Sequence, residues 1–189
     1  MPNLDSIRRR EGFLFFAGFA ACVPLANWMI GNVGTVCIPD GPCVIPVAPG
    51  GLSAPSGVLA VGVALVLRDL LQRRLGLGWS FAAILLGAAL SAAIAPPTLV
   101  AASAIAFLLS ELADLFVYTP LQRRGLVLAV AASGVVGLVV DSVVFLSVAF
   151  GSLDFLPGQI VGKLWAVLAA LPLIHFIRKR DSERGMLPA

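Results

Sequence analysis

Six apolar stretches fill most of this chain, at about Phe13 to Ile30, Ser56 to Leu71, Trp79 to Ala95, Thr98 to Tyr118, Leu126 to Phe150 and Leu156 to Ile177. Each is close to the roughly 20 residues that a helix needs to cross a bilayer. In hydrocarbon a helix satisfies its own backbone N–H and C=O groups, so stretches of this kind leave little choice of fold. Of the 189 residues, 59% are hydrophobic and 12% charged, against about 25% charged in a soluble domain. A soluble fold is therefore excluded. The pattern predicts an all-α polytopic membrane protein, residues 1–189 forming one bundle of six transmembrane helices. The breaks are a Gly/Pro-rich outer loop over 31–55, Arg73-Arg74-Leu75-Gly76, Pro96-Pro97, Gln122-Arg123-Arg124-Gly125 and Gly151-Ser152 before Pro157.

Orientation follows from the basic residues, which are retained on the cytoplasmic side. Arg8, Arg9, Arg10, Arg73, Arg74, Arg123, Arg124, Arg178, Lys179, Arg180 and Arg184 all fall on one side of a six-crossing chain, and the three opposite loops hold no Lys or Arg. Both termini are thus expected in the cytoplasm, with the chain multi-pass in the cell (cytoplasmic) membrane. The net charge of +3 does not point to nucleic acid, because the basic residues lie in short clusters between spans. No nucleic-acid partner is expected, the lipid bilayer is, and a homo-oligomer is compatible with such a chain. Three Arg before the first span, and Phe19-Ala20-Ala21-Cys22 within it, resemble a cleavable signal. Cleavage would spoil the even count of spans, so the first helix is expected to stay.

An ionisable residue within a span is a functional candidate, because a charge at the bilayer centre costs about 2.5 to 3.5 kcal/mol on insertion scales. The candidates are Arg68, Asp69, Glu111, Asp114, Asp141 and Lys163. At 1.5 Å per residue, Arg68 and Asp69 come out roughly 6 to 8 Å from the cytoplasmic boundary, Asp114 about 14 Å, Glu111 about 18 Å, and Asp141 and Lys163 both about 22 Å. Opposite charges at one depth on consecutive antiparallel helices are placed to pair. Glu111 and Asp114, three apart, share a helix face. That suits proton coupling or a donor-rich ligand, while a structural clamp between Asp114 and Arg68 is the plainer alternative.

Phe107, Trp165, Phe116, Tyr118 and Trp28 have faces on which a planar ligand can stack. Trp28, Trp79 and Tyr118 lie where interfacial anchoring is expected, and core packing is the alternative for Phe107 and Trp165. Gln159 is placed either to bond a ligand or to sit among headgroups, and His175 falls at the inner interface. No nucleophile–base arrangement and no metal-ligand spacing is present, so neither an enzyme nor a metal or cofactor is expected. Cys37 and Cys43 flank Ile38-Pro39-Asp40-Gly41-Pro42 in the outer loop, where a tight turn and an oxidising compartment predict a disulfide. Cys22 reads as a small buried apolar residue.

From about Ser56 to Arg178 the order of features resembles the vitamin uptake transporter family, whose best understood members carry queuosine precursors. The stretch from Ala102 to Tyr118 is similar to the family's fourth-helix signature, with Ser110 and Asp114 at signature positions. Gly137, Asp141 and Ser142 match the fifth-helix pattern, Lys163 and Pro172 the sixth, and Asp69 with Gly76 the end of the second. The chain departs from the family at Arg73 and Glu111, at Ala129-Val130-Ala131 where Arg-Asn-Asn is usual, and at Leu138 in place of Gln. The resemblance implies uptake of a small planar solute, a deazaguanine-type queuosine precursor or a related vitamin-like compound. The substrate-binding residues would be Glu111, Asp114, Asp141, Lys163, Asp69, Arg68, Phe107, Trp165 and Ser110. Glu111 would accept from the N–H edge of the base and Lys163 would donate to its carbonyl. Two rival readings are a substrate-binding subunit energised by a separate ATPase, since the chain has no phosphate-binding loop, and an intramembrane enzyme.

Overall fold

Residues 4–39, 41–95 and 97–186 are described by the computed structural model. Asp40, in the predicted disulfide turn, and Pro96, in the third break, lie outside the described residues. Among the described residues six α-helices form, α1 Leu4–Asn32, α2 Val58–Leu75, α3 Leu77–Ile94, α4 Val100–Leu121, α5 Leu126–Phe150 and α6 Leu156–Arg184. Five of them are long and apolar enough to cross a membrane. The exception is α2, which holds Arg68, Asp69, Arg73 and Arg74 within 18 residues. Its charges are accommodated because α1, α3, α4, α5 and α6 all pack against it and all four side chains are buried. The protein is an all-α polytopic membrane protein.

Helix limits depart from the apolar stretches mainly at the end that carries the basic clusters. The first helix starts at Leu4 rather than Phe13, and the last runs to Arg184 rather than Ile177. Hydropathy marks where a helix leaves lipid, not where its hydrogen bonds stop. The continued turns carry an ion-pair clamp. Arg73 Nε lies 2.8 Å from Asp181 Oδ2, Arg74 Nη1 and Nη2 reach Asp181 at 2.9 and 2.8 Å, and Arg74 Nε reaches Glu11 at 2.8 Å. Arg180 adds a 2.6 Å contact to Glu11. Arg73 and Arg74, expected as loop charges, are instead the buried last turn of α2, tied to α1 and α6.

The outer loop also departs from expectation, because it holds a three-stranded antiparallel sheet, β1 Val36–Cys37, β2 Cys43–Ala48 and β3 Leu52–Pro55. Gly50 and Gly51, with φ of 87° and 85°, make the turn between β2 and β3, a backbone that other residues rarely adopt. Cys37 faces Cys43 in the β1–β2 register, and the two are joined by a disulfide. Hydrogen bonds fasten the sheet to the bundle: Ser56 Oγ donates to Met29 O of α1 at 2.7 Å, and Trp165 Nε1 of α6 donates to Val47 O at 2.9 Å. Between α2 and α6 the approach is close at Gly62, where a Cβ would come 2.7 Å from Ala166 Cβ and 2.8 Å from Lys163 O. This contact brings α2 to the height at which Lys163 leaves α6.

Contacts place the N-terminal end of α1 with the C-terminal ends of α2 and α6, so the basic clusters share one end of the bundle. Asp154 and Arg123 are exposed at opposite ends. A membrane-impermeant thiol reagent is expected to label a cysteine placed at Asp154 in intact cells, and one at Arg123 only after permeabilisation. Reversed accessibility would invert the orientation.

Candidate functional site

Besides the clamp of Arg73 and Arg74 on Asp181, two clusters of buried charge lie in the bundle among the described residues. In the outer one, Lys163 Nζ donates to Asp141 Oδ2 at 2.5 Å, Ser142 Oγ at 2.8 Å and Gln159 Oε1 at 2.6 Å. These bonds use all three donors of the ammonium. Asp141 also takes a long 3.4 Å bond from Ser110 Oγ of α4. The pairing of Asp141 with Lys163 follows from equal depth on adjacent antiparallel helices. The expected role of Lys163 does not follow, since no N–H remains for a ligand carbonyl. Gln159 lies one helical turn from Lys163, on the same face. Because its carbonyl oxygen accepts from an ammonium that cannot accept in return, the amide orientation is fixed and the NH2 end is left for another partner.

The deeper cluster centres on Arg68, which is fully shielded from solvent. Its Nη2 lies 2.7 Å from Asp69 Oδ1 and 2.6 Å from Asp114 Oδ1, and its Nε lies 3.3 Å from Glu111 Oε2. These are ion-pair distances with the carboxylates off the N–H directions, so neither nitrogen has a well-aligned hydrogen bond. The aligned bond runs from Nη1 to Gln72 Oε1 at 3.0 Å. Ser133 Oγ of α5 donates to Asp69 Oδ2 at 2.8 Å, and the guanidinium carbon stands 5.6 Å over the ring of Tyr118. Tyr118, expected as an interfacial anchor, is completely buried. It has become a floor for Arg68.

A cavity joins the clusters to the outer end. Its walls include Asn27 of α1, Val58 of α2, Ser91 of α3, Phe107 and Glu111 of α4, Asp141 of α5 and Gln159 of α6, with Pro55 of the sheet at its rim. Its volume is about 80 Å³, below the 300 to 1,000 Å³ usual for small-molecule sites. Of the predicted residues, Phe107, Ser110, Glu111, Asp141 and Lys163 line it. Arg68, Asp69 and Asp114 stand behind that wall, Glu111 being the member of their cluster that reaches the cavity. Phe107 packs against Phe19 with the rings tilted by 49° and their centroids 5.8 Å apart, and fills the space that Gly87 leaves in α3. Trp165 does not line the cavity; its indole is 56% exposed and pins the sheet. Phe116 is likewise exposed, whereas Trp28 and Trp79 are exposed as anchors would be. Asn27 could be found in the sequence as a polar residue within a span. Gln159 had a weaker signal, its place one turn before a buried lysine.

A polytopic helical bundle with an internal cavity walled by ionisable side chains has the build of a solute transporter. The chain belongs to the vitamin uptake transporter family: residues 75–178 match the family model described as "Putative vitamin uptake transporter". The match runs from the end of α2 into α6 and takes in Glu111, Asp114, Asp141 and Lys163. Comparison with curated proteins and with solved structures gives no match.

Proposed function

We propose that the cavity takes up a small planar solute, a deazaguanine-type queuosine precursor or a related vitamin-like base. One observation carries this reading: Glu111, the amide of Gln159 and the ring of Phe107 all border one cavity. Glu111 turns Oε2 to Arg68, so its other oxygen is the acceptor for the paired N–H donors of a guanine-like edge. Gln159 supplies the donor for the ring carbonyl in place of Lys163, which holds it in position. Phe107 closes one face of the base. Pro55 of the sheet also borders the cavity, at the end of the bundle away from the basic clusters.

The purified protein is expected to be stabilised against heat by a deazaguanine base, because a ligand bound to the folded state alone adds RT ln(1 + [L]/Kd). Glu111→Gln should weaken binding about 10- to 100-fold, since a hydrogen bond to a charged group contributes about 1.5 to 3 kcal/mol, and Gln159→Leu about 2- to 10-fold, since a neutral one contributes about 0.5 to 1.5 kcal/mol. No stabilisation at millimolar base, or unchanged affinity in both variants, would refute the assignment. Accumulation of the base by proteoliposomes holding only this protein would remove the ATPase-dependent alternative.

A further inference from the structure

Charge does not balance around Arg68. Three carboxylates, Asp69, Glu111 and Asp114, contact one guanidinium, and all four side chains are at most 2% exposed. Among the described residues the nearby cations are committed elsewhere, Lys163 to Asp141 and Arg73 to Asp181. Fully ionised, the cluster would bury two uncompensated negative charges in a low dielectric, which a bundle does not sustain. An independent sign is Asp114 Oδ2, which is buried without a donor. Ser133 is its neighbour, but the single hydroxyl proton of Ser133 goes to Asp69. A carboxylic acid proton shared among these groups would fill that gap.

The cluster also connects two ends. Glu111 borders the outer cavity beside Cys22 of α1, Asp141 of α5 and Lys163 of α6, while α3 offers that cavity Ser91. Inward from Arg68, Gln72 Nε2 donates to Thr119 Oγ1 at 3.0 Å. Gln72 and Thr119 then line a second cleft with Leu77, Pro120, Gln122 and Arg123 at the cytoplasmic end. A polar path therefore leads from one cavity to the other through the buried acids.

We propose that the Arg68 cluster is a proton-binding site, charged from the outer cavity through Glu111 and discharged to the inner cleft past Gln72 and Thr119, which couples solute uptake to proton entry. Glu111 takes a proton from outer water; the proton passes among the three carboxylates that Arg68 holds together and leaves to cytoplasmic water. No bond other than O–H is made or broken. The coupling rests on the uptake reading above, but the proton site does not.

Infrared spectra of the solute-free protein test the site first. A protonated carboxyl band is expected at neutral pH, reduced in Glu111→Gln and in Asp114→Asn, and unmoved by sodium. Its absence in the wild type would overturn the proposal, and its removal by sodium would replace the proton with a metal cation. Proteoliposomes with a deazaguanine base as probe then test the coupling. An inside-alkaline gradient should raise accumulation by up to about tenfold per pH unit for one proton per solute. Thr119→Val, outside the outer cavity, should retain probe binding and lose this gradient response. An unchanged response in Thr119→Val would refute the inner path. A protonated band without any probe uptake would support the proton site and count against the substrate alone.

Discussion

Arg68→Met is expected to cost more stability than any other single change in the bundle. The side chain is fully buried and holds Asp69, Glu111 and Asp114 at ion-pair distance. Removing it leaves three acids with no cation. Breaking a buried ion pair from one side costs about 3 to 5 kcal/mol, and whole proteins are stable by only about 5 to 15 kcal/mol. The variant should therefore lose most of its membrane abundance and unfold well below the wild type in detergent. Arg68→Lys should be intermediate: its charge persists, but a single ammonium lacks the fork that reaches Gln72 and the acids together. Adding Asp114→Asn to Arg68→Met should restore part of the loss, since one fewer unpaired acid remains. Wild-type yield and melting temperature in Arg68→Met would show that the acids do not depend on it.

Asp141 and Lys163 should show the second large effect, as a double-mutant cycle. Lys163→Met strands Asp141, and Asp141→Asn leaves the Lys163 ammonium with two neutral partners, Ser142 and Gln159. Each single change is expected to lose about 3 to 5 kcal/mol, and the double change less than the sum, because an apolar pair of similar volume is tolerated where a lone charge is not. Thermal unfolding of all four proteins measures the coupling. Strictly additive losses would mean that the two residues act independently. Solute uptake should stay impaired in the double mutant even where stability recovers, because Gln159 loses the partner that fixes its amide.

The pair and the cluster were legible to different degrees. Asp141 and Lys163 could be matched from sequence because depth on a helix is linear in residue number, and both lie on adjacent helices. Arg68 was harder: counted from the boundary it falls well below Glu111 and Asp114. Its long side chain spans that difference, and no residue count shows in which direction an arginine extends. Tyr118 and Trp165 went astray for a related reason. An aromatic near a span end can face lipid, interface or bundle, and its rotation about the helix axis is set by its neighbours. The sheet in the outer loop carried a signal, Gly50-Gly51 after the β-branched run Val44-Ile45, but Gly and Pro in the same segment read equally as irregular loop.

The sequence by itself determined the membrane class, the helical bundle and the list of ionisable residues in its spans. Hydropathy and the distribution of Lys and Arg carry this information residue by residue, without reference to which helix touches which. Only the tertiary structure decided that α2, with its four charged side chains, is enclosed by the others, and that Gln159 rather than Lys163 has a donor to spare. It also decided that three acids meet at one arginine and that Trp165 serves the sheet. These outcomes depend on helix rotation and close approach, as at Gly62 against Ala166, and such packing is fixed by the whole bundle together rather than by any one segment.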